Sequence, residues 1–200
     1  MFLARFLDTR PWLDVDFWAL DLETSGLRPE RDVICSVGMV PIRQGSIRWG
    51  ERQVWLVNQP RDRAMNPQAI AIHQILPQEL AHGLALHDVY AEVLRCTANH
   101  VLLVHHKALD WAFLRAAAKH TGLPALQIPV VDTIVMLQRL NQKRAWLHQP
   151  QLPYNLGAAR RALSLPAIEQ HDALADALAC AELFLLVRHK LGAATLREML

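Results

Sequence analysis

Two hydrophobic rhythms divide the chain. In its N-terminal third, apolar positions come in short runs rich in Val, Ile and Trp: residues 17–22, "VICSVGMVPI" at 33–42 and "IRWGERQVWLV" at 47–57. Charged, glycine-containing turns such as "GLRPERD" and "RQGS" separate them, a pattern that predicts three strands joined by hairpins. From residue 66 the period lengthens. "NPQAIAIHQILPQEL" opens with Asn-Pro and carries a second proline, predicting short helical turns that lead into a longer helix from about residue 78 to 96. "HVLLVHH" reads as a buried strand, and in "ALDWAFLRAAAKHTG" Leu109, Phe113, Leu114 and Ala117 recur at helical spacing before Gly122 closes the helix. "LQIPVV" predicts another strand, with Asp132 as the N-cap of the helix "TIVMLQRL". "NLGAARRAL" and "DALADALACAELFLLVRHKLG" predict two more helices, and "NQKRAWLHQPQLPY" at 141–154 reads as a basic connecting loop. Hairpin-linked strands followed by strand–helix alternation imply an α/β domain: a mixed five-stranded sheet, three strands antiparallel and two parallel, flanked by helices.

Composition narrows this picture. Two hundred residues, 52% of them hydrophobic, suit one domain, expected at 16–191 between an N-terminal extension (1–15) and a short tail (192–200). The first sixteen residues are interrupted by Arg5, Asp8, Arg10 and Asp14, and no run approaches 18 apolar residues. Neither a secretory signal nor a membrane span is expected, and the chain reads as soluble and cytoplasmic. Cys35, Cys96 and Cys180 lie far apart in apolar contexts, as reduced core cysteines do. A net charge of +2 draws no polyanion by itself, so any nucleic-acid binding must rest on local patches or on metal ions.

Candidate chemistry begins with "ALDLETSG" at 19–26, where Asp21 and Glu23 end an apolar strand. Paired carboxylates there are costly unless solvent or a cation compensates them. At i and i+2 of a strand they point to one face, so both can reach one point above the sheet. That suits a hard divalent cation, which takes a few oxygen ligands and keeps its waters. Asp110 and Asp176, each near a helix start, can project back over a strand end or merely favour their helix dipoles. His171 and Asp176 are separated by about 140° on a helix, so His171 must precede the helix that Asp172 caps. The pair His105–His106 lacks the cysteine or acidic partners of a zinc site.

Asp-x-Glu-Thr-Ser-Gly at 21–26, the "HHKALDWAFL" block around Asp110 and His-x4-Asp at 171–176 together resemble the three motifs of the DEDDh exonucleases, the DnaQ-like family that includes proofreading epsilon subunits of bacterial DNA polymerase III. "AIHQI" at 71–75, "VVDTIVML" at 130–137 and "YNLGAARRALSLP" at 154–166 extend the similarity over residues 16–191. The resemblance implies a ribonuclease H-like fold and a metal-dependent 3′–5′ exonuclease that releases nucleoside monophosphates from a free 3′ end, DNA rather than RNA by preference. It implies two divalent cations, Mg²⁺ or Mn²⁺, held by Asp21, Glu23, Asp110 and Asp176, with His171 as general base. It further implies that the terminal nucleotide lies against Glu23 and the backbone of Thr24 and Ser25. His73 is read as a substrate contact, and Lys143, Arg144, Arg160 and Arg161 as phosphate contacts. Leu22, Trp111 and Phe113 are candidate stacking residues, Phe113 more simply a core residue. The chain departs from the family pattern at His106 and Leu109, where Asn and Phe are usual, and at Gln74, where Gly is usual. The competing expectation is a non-catalytic nucleic-acid or polymerase-binding module of the same fold. With little sequence beyond Lys190 to tether a polymerase, a stand-alone enzyme of repair or turnover is expected.

Overall fold

A computed structural model describes residues 8–59, 66–168 and 171–200. Strand β1 (Phe17–Thr24) lies at the centre of a mixed sheet. It pairs antiparallel with β2 (Ile34–Arg43) on one side and parallel with β5 (Val101–Val104) on the other; β6 (Val130–Asp132) continues the parallel half. The third expected strand is two pieces, β3 (Ser46–Ile47) and β4 (Gln53–Leu56), both paired with β2 and separated by a 3-10 turn at Trp49–Glu51. The expected five-stranded order is thus kept, with six strand segments occupying it.

Helix α1 (Pro67–His73) starts as the Asn-Pro pair requires, the Asn66 side chain accepting the N–H of Gln68. The expected long helix is instead α2 (Pro77–Leu80) and α3 (Leu86–Thr97). The break has a cause: Leu84 bridges Val57, its N–H reaching the carbonyl of Leu56 while Asn58 N–H reaches its own carbonyl. Helical geometry at Gly83 would forfeit that bridge, and a Cβ there would lie under 3.0 Å from the backbone of Leu56 and Asn58. Helices α4 (Lys107–Thr121), α5 (Thr133–Trp146), α6 (Leu156–Ala162) and α7 (Ala173–Leu191) follow the expected order. Helix α5 is longer than expected, so Lys143 and Arg144 stand on its last turn and the connecting loop begins only after Trp146.

One face of the sheet packs on α5, α6 and α7 through Phe17, Ala19, Leu103, Met136, Leu140, Phe184 and Val187. The other packs on α3 and α4 through Leu20, Leu102, Val93, Phe113 and Leu114. Leu22 and Phe113 are spent in this second core and are not free to stack on bases, whereas Trp111 is half-buried. All three cysteines are buried and free, as expected. The two terminal segments are strapped together: Trp12 N–H reaches the Ala194 carbonyl, Leu196 N–H reaches that of Arg10, and Arg188 lies over the Trp12 ring. Among the described residues no helix is long and apolar enough to cross a membrane.

Gln74 closes α1 in the left-handed region, φ 59°, with its N–H on the Ile70 carbonyl. This is where a glycine carries no Cβ penalty. Gln74→Gly should therefore stabilise the fold by about 0.5–1 kcal/mol, raising the melting temperature by about 1–4 °C; a calorimetric scan that shows a fall would mean the glutamine side chain makes a compensating contact.

Candidate metal centre and active site

Strand β1 presents Asp21 and Glu23 at its C-terminal end, two residues apart on one face, opposite Gly38 and Ser36 of β2. The register slips between Glu23 and Thr24, which pairs with Ile34 and skips Cys35. Such a bulge bends the strand end away from the sheet. The turn that follows is pinned internally: Thr24 Oγ1 donates to the Gly26 carbonyl, and Ser25 Oγ accepts the N–H of Val33. The hydroxyls of Thr24 and Ser25 are thus engaged in shaping the turn.

Helix α7 supplies Asp176 from its first turn. Asp172 caps it, accepting the N–H of Ala175. The helix backbone sits directly on Gly38, where a Cβ would lie under 3.0 Å from the backbone of Ala173 and Leu174. Because Gly38 is the cross-strand partner of Asp21, that close approach sets Asp176 beside Asp21 and Glu23. One carboxylate oxygen from each of the three lies within 4.8 Å of the others.

Asp110 is buried on α4 next to this triple rather than in it. Its helix starts on an unusual support: the Asp132 carboxylate accepts the N–H groups of His106, Lys107 and Ile134, capping α4 and α5 together. His106 takes a left-handed conformation, φ 79°, which explains why the asparagine usual in the family suits the position and why histidine is tolerated. His105 is not placed as a metal ligand. Its Nε2 donates to the Tyr154 carbonyl and its Nδ1 meets the Thr133 hydroxyl, while burial lowers its pKa and keeps the ring neutral.

No Lys or Arg is ion-paired with Asp21, Glu23 or Asp110 among the described residues. Burial, first, and mutual repulsion, second, therefore raise their pKa values. Glu23 moves from 4.5 to about 7, with Asp176 and Asp172 adding to the effect of burial. Asp21 rises well above the carboxylate range from burial and from Asp110, Asp176, Glu23 and Asp172, the widest set of acidic neighbours in the group. Asp110 rises similarly from burial and Asp132, and Asp176 rises from burial against the opposing N–H of His171. Converging, half-dehydrated carboxylates without a cationic side chain form a donor set fitted to a hard divalent cation.

His171 stands ahead of α7, exposed, with φ 67° and its N–H on Asp176 Oδ2 at 2.9 Å. His73 lies close enough that its pKa, lowered mainly by burial, is lowered further by His171. The His73 Nδ1 accepts the N–H of Ile75, so the proton of the neutral ring sits on Nε2. That buried donor has no acceptor among the described residues.

The basic candidates separate. Arg161 is exposed, but Arg160 is only 2% exposed: its guanidinium pairs with Glu182 and donates to the carbonyls of Ala179 and Pro166. Arg160 is corrected from phosphate contact to an internal clamp that ties α6 to α7 and to the segment ahead of His171. Adjacent helical residues differ by 100°, so only one of the two arginines can face solvent here. Lys143 and Arg144 are on the surface at the far end of α5, donating to the carbonyls of Lys190 and Pro150. Sequence reasoning missed Gly38 and, while it anticipated Asp132 as the cap of α5, missed that the same carboxylate also caps α4. A glycine inside the strand "SVGMV" is the signal for the first, since it marks close backbone approach.

Comparison with known proteins places this arrangement. The exonuclease family model RNase T matches residues 18–184. The chain belongs to that family. It is 30% identical over 171 residues to the DNA polymerase III subunit epsilon of Treponema pallidum, covering 85% of this chain and 75% of that protein. To the PolC-type DNA polymerase III of Thermotoga maritima it is 28% identical over 98% of its length, spanning only 14% of that polymerase. Among solved structures, E. coli exonuclease I in complex with a dT13 oligonucleotide superposes with a TM-score of 0.78 at 20% identity, over 88% of this chain and 41% of that one. The family and this fold together make the protein a DnaQ-like, ribonuclease H-like exonuclease homologue, as the three motifs implied.

Two outcomes are expected of the metal-free protein. The folded state binds protons at Glu23 more tightly than the unfolded chain does, so its stabilising effect is present at low pH and is lost as pH rises through about 7. Stability should fall by about 2 kcal/mol between pH 5.5 and pH 8.5 from this group, and Mn²⁺ should restore it at the alkaline end; urea titrations showing no pH dependence or no metal rescue would remove the electrostatic basis of the site. Second, Gly38→Ala must lift α7 from β2, at a cost of about 1–3 kcal/mol or more. Mn²⁺ affinity should drop in this variant although no ligand is changed, as calorimetry of the folded variant would show; unchanged affinity would mean that Asp176 is placed by other contacts.

Proposed function

We propose that the protein is a metal-dependent 3′–5′ exonuclease releasing nucleoside monophosphates from single-stranded DNA. The observation that carries the reading is the convergence of Asp21, Glu23 and Asp176 within 4.8 Å, with Asp110 alongside, in a chain of the exonuclease family. DNA is favoured because the superposable exonuclease I binds a dT13 strand and the relatives are DNA polymerase III proteins.

Asp21, Glu23 and Asp176 would hold one divalent cation, and Asp110 with Asp21 would help hold a second, a reading supported by Asp21 having all the other carboxylates as electrostatic neighbours. A pair of such cations, Mg²⁺ or Mn²⁺, supplies stabilisation of the attacking and leaving oxygens of an in-line phosphodiester displacement. The imidazole of His171 takes the proton of the attacking water as general base, from a loop fixed by its own N–H on Asp176. The backbone of Thr24 and Ser25 seats the terminal nucleotide, His73 Nε2–H finds its acceptor there, and exposed Arg161 offers charge to a phosphate. The names of the relatives suggest a DNA polymerase as a partner, in a proofreading or repair setting.

The test separates ligand from base. Asp21→Asn should lose Mn²⁺ binding and cleavage together. His171→Asn, which tolerates the left-handed backbone and keeps the N–H bond to Asp176, should bind Mn²⁺ nearly normally yet turn over about 10²- to 10⁴-fold more slowly. Single-turnover assays should also show a 3′-phosphorylated strand resisting cleavage. Metal affinity lost equally in both variants would make His171 a ligand; equal degradation of circular and linear strands would replace the exonuclease with an endonuclease, and no cleavage by the Mn²⁺-loaded wild type would favour the non-catalytic module.

A further inference from the structure

From Thr133 to Ile168 the chain contains no Asp or Glu but five Lys and Arg residues, Arg139, Lys143, Arg144, Arg160 and Arg161, a strong local bias in a protein whose overall charge is +2. With Arg160 turned inward, the surface share of this charge gathers at the far end of α5. There Lys143 Nζ donates to the Lys190 carbonyl, bringing the last turn of α5 beside the last turn of α7, whose exposed Lys190 adds to the basic character. No carboxylate is paired with Lys143 or Arg144 among the described residues. The carboxylate of Glu198, near Arg139, is taken up by the N–H groups of Ala194 and Thr195.

Beside these basic residues stands Trp146, 86% exposed, the most exposed large hydrophobic side chain among the described residues, with Leu147 next to it at 59%. An indole so exposed contributes little to folding and is flanked by Lys143, Arg144 and His148. The loop that leaves Trp146 runs back toward the metal centre. Arg144 Nε holds Pro150, Asn141 holds Leu152 through both its amide atoms, and the Tyr154 carbonyl accepts from His105 beside the start of α4. Tyr154, 42% exposed, and Trp146 thus mark the two ends of one pinned, acid-free strip. Helix α5 starts at Asp132, which caps the helix carrying Asp110, so its fourteen residues put Trp146 about 20 Å from that end.

We infer that the strip from Tyr154 to Trp146 is an accessory platform for single-stranded nucleic acid, gripping the part of the strand several nucleotides upstream of the end held at the metal centre. Aromatic planes interleaved with basic side chains that no carboxylate neutralises are what a sequence-tolerant single-strand surface requires: bases stack on the ring and phosphates lie against the cations. At about 3.4 Å per stacked nucleotide, 20 Å corresponds to about six nucleotides. The platform rests on the exonuclease reading for its direction, and it makes affinity depend on strand length.

The experiment compares a fluorescent trinucleotide with a fluorescent dodecamer of single-stranded DNA, measuring binding by anisotropy in EDTA and cleavage in Mn²⁺. Trp146→Ala should weaken dodecamer binding and raise its KM about 5- to 100-fold, the loss expected for one stacked base, and leave the trinucleotide unaffected. Trp146→Phe should recover much of the loss, and Lys143→Gln with Arg144→Gln should flatten the salt dependence for the dodecamer alone. Dodecamer affinity unchanged in Trp146→Ala would overturn the platform and leave this patch to a protein partner; an equal loss on the trinucleotide would overturn it as well. Failure of wild-type cleavage with Trp146-dependent dodecamer binding intact would instead sink the catalytic reading while the platform stands.

Discussion

Helix α7 rests with its backbone on Gly38, and the metal centre depends on that contact. A sheet can place Asp21 and Glu23 side by side, because alternate residues of a strand share a face. It cannot bring a third carboxylate over them unless a helix comes down close to the strand. The missing side chain at position 38, directly across from Asp21, lets the first turn of α7 descend until Asp176 completes the triple. Burial first, and the repulsion among neighbouring carboxylates second, push Glu23 to about 7 and Asp21 well above the ordinary carboxylate range, with no Lys or Arg ion-paired to either among the described residues. A site built this way is a poor place for protons and water to share and a good one for divalent metal.

The remaining parts serve the same end. Asp132 fastens the starts of α4 and α5 to each other, which fixes the first turn of α4 and with it Asp110, an electrostatic neighbour of Asp21. Arg160 buries its charge between α6 and α7, with Glu182 and two carbonyls as partners, and ties down the carbonyl of Pro166 five residues ahead of His171. A buried arginine with a complete set of partners is a costly group to dehydrate, and its retention here fits a structural need for a fixed approach to His171 rather than a gain in net stability.

The sequence was most legible where local rules and chemistry coincide. Strand periodicity located β1, β2 and β5, cap residues located Asp132 and Asp172, and the spacing of the acidic motifs pointed to Asp21, Glu23 and Asp176, which the fold brings within 4.8 Å of one another. What escaped was set by partners distant in the chain. The third strand breaks because Trp49–Glu51 turns back while β2 continues, and the helix after residue 77 breaks because Leu84 bridges Val57. Arg160 and Arg161 look alike as neighbours, and only Glu182, on another helix, decides which is buried. Lys143 and Arg144 were read as loop residues because prolines at 150 and 153 spread loop character backwards over a helix that ends at Trp146. The resemblance to DEDDh exonucleases supplied roles that periodicity alone leaves open, and its departures at Gln74 and His106 turn out to fall on left-handed backbone positions, where a side chain changes strain more than chemistry.

On this reading the raised carboxylates form a divalent-cation site by exchanging protons for metal. Calorimetric Mn²⁺ titrations in buffers of different ionisation enthalpy measure that exchange directly, because the slope of observed enthalpy against buffer enthalpy counts the protons released. Near pH 7 binding should release a substantial fraction of a proton or more, and the release should shrink toward pH 9 as Glu23 empties beforehand. Tight Mn²⁺ binding with no proton release at pH 7, or no binding at either pH, would contradict the account.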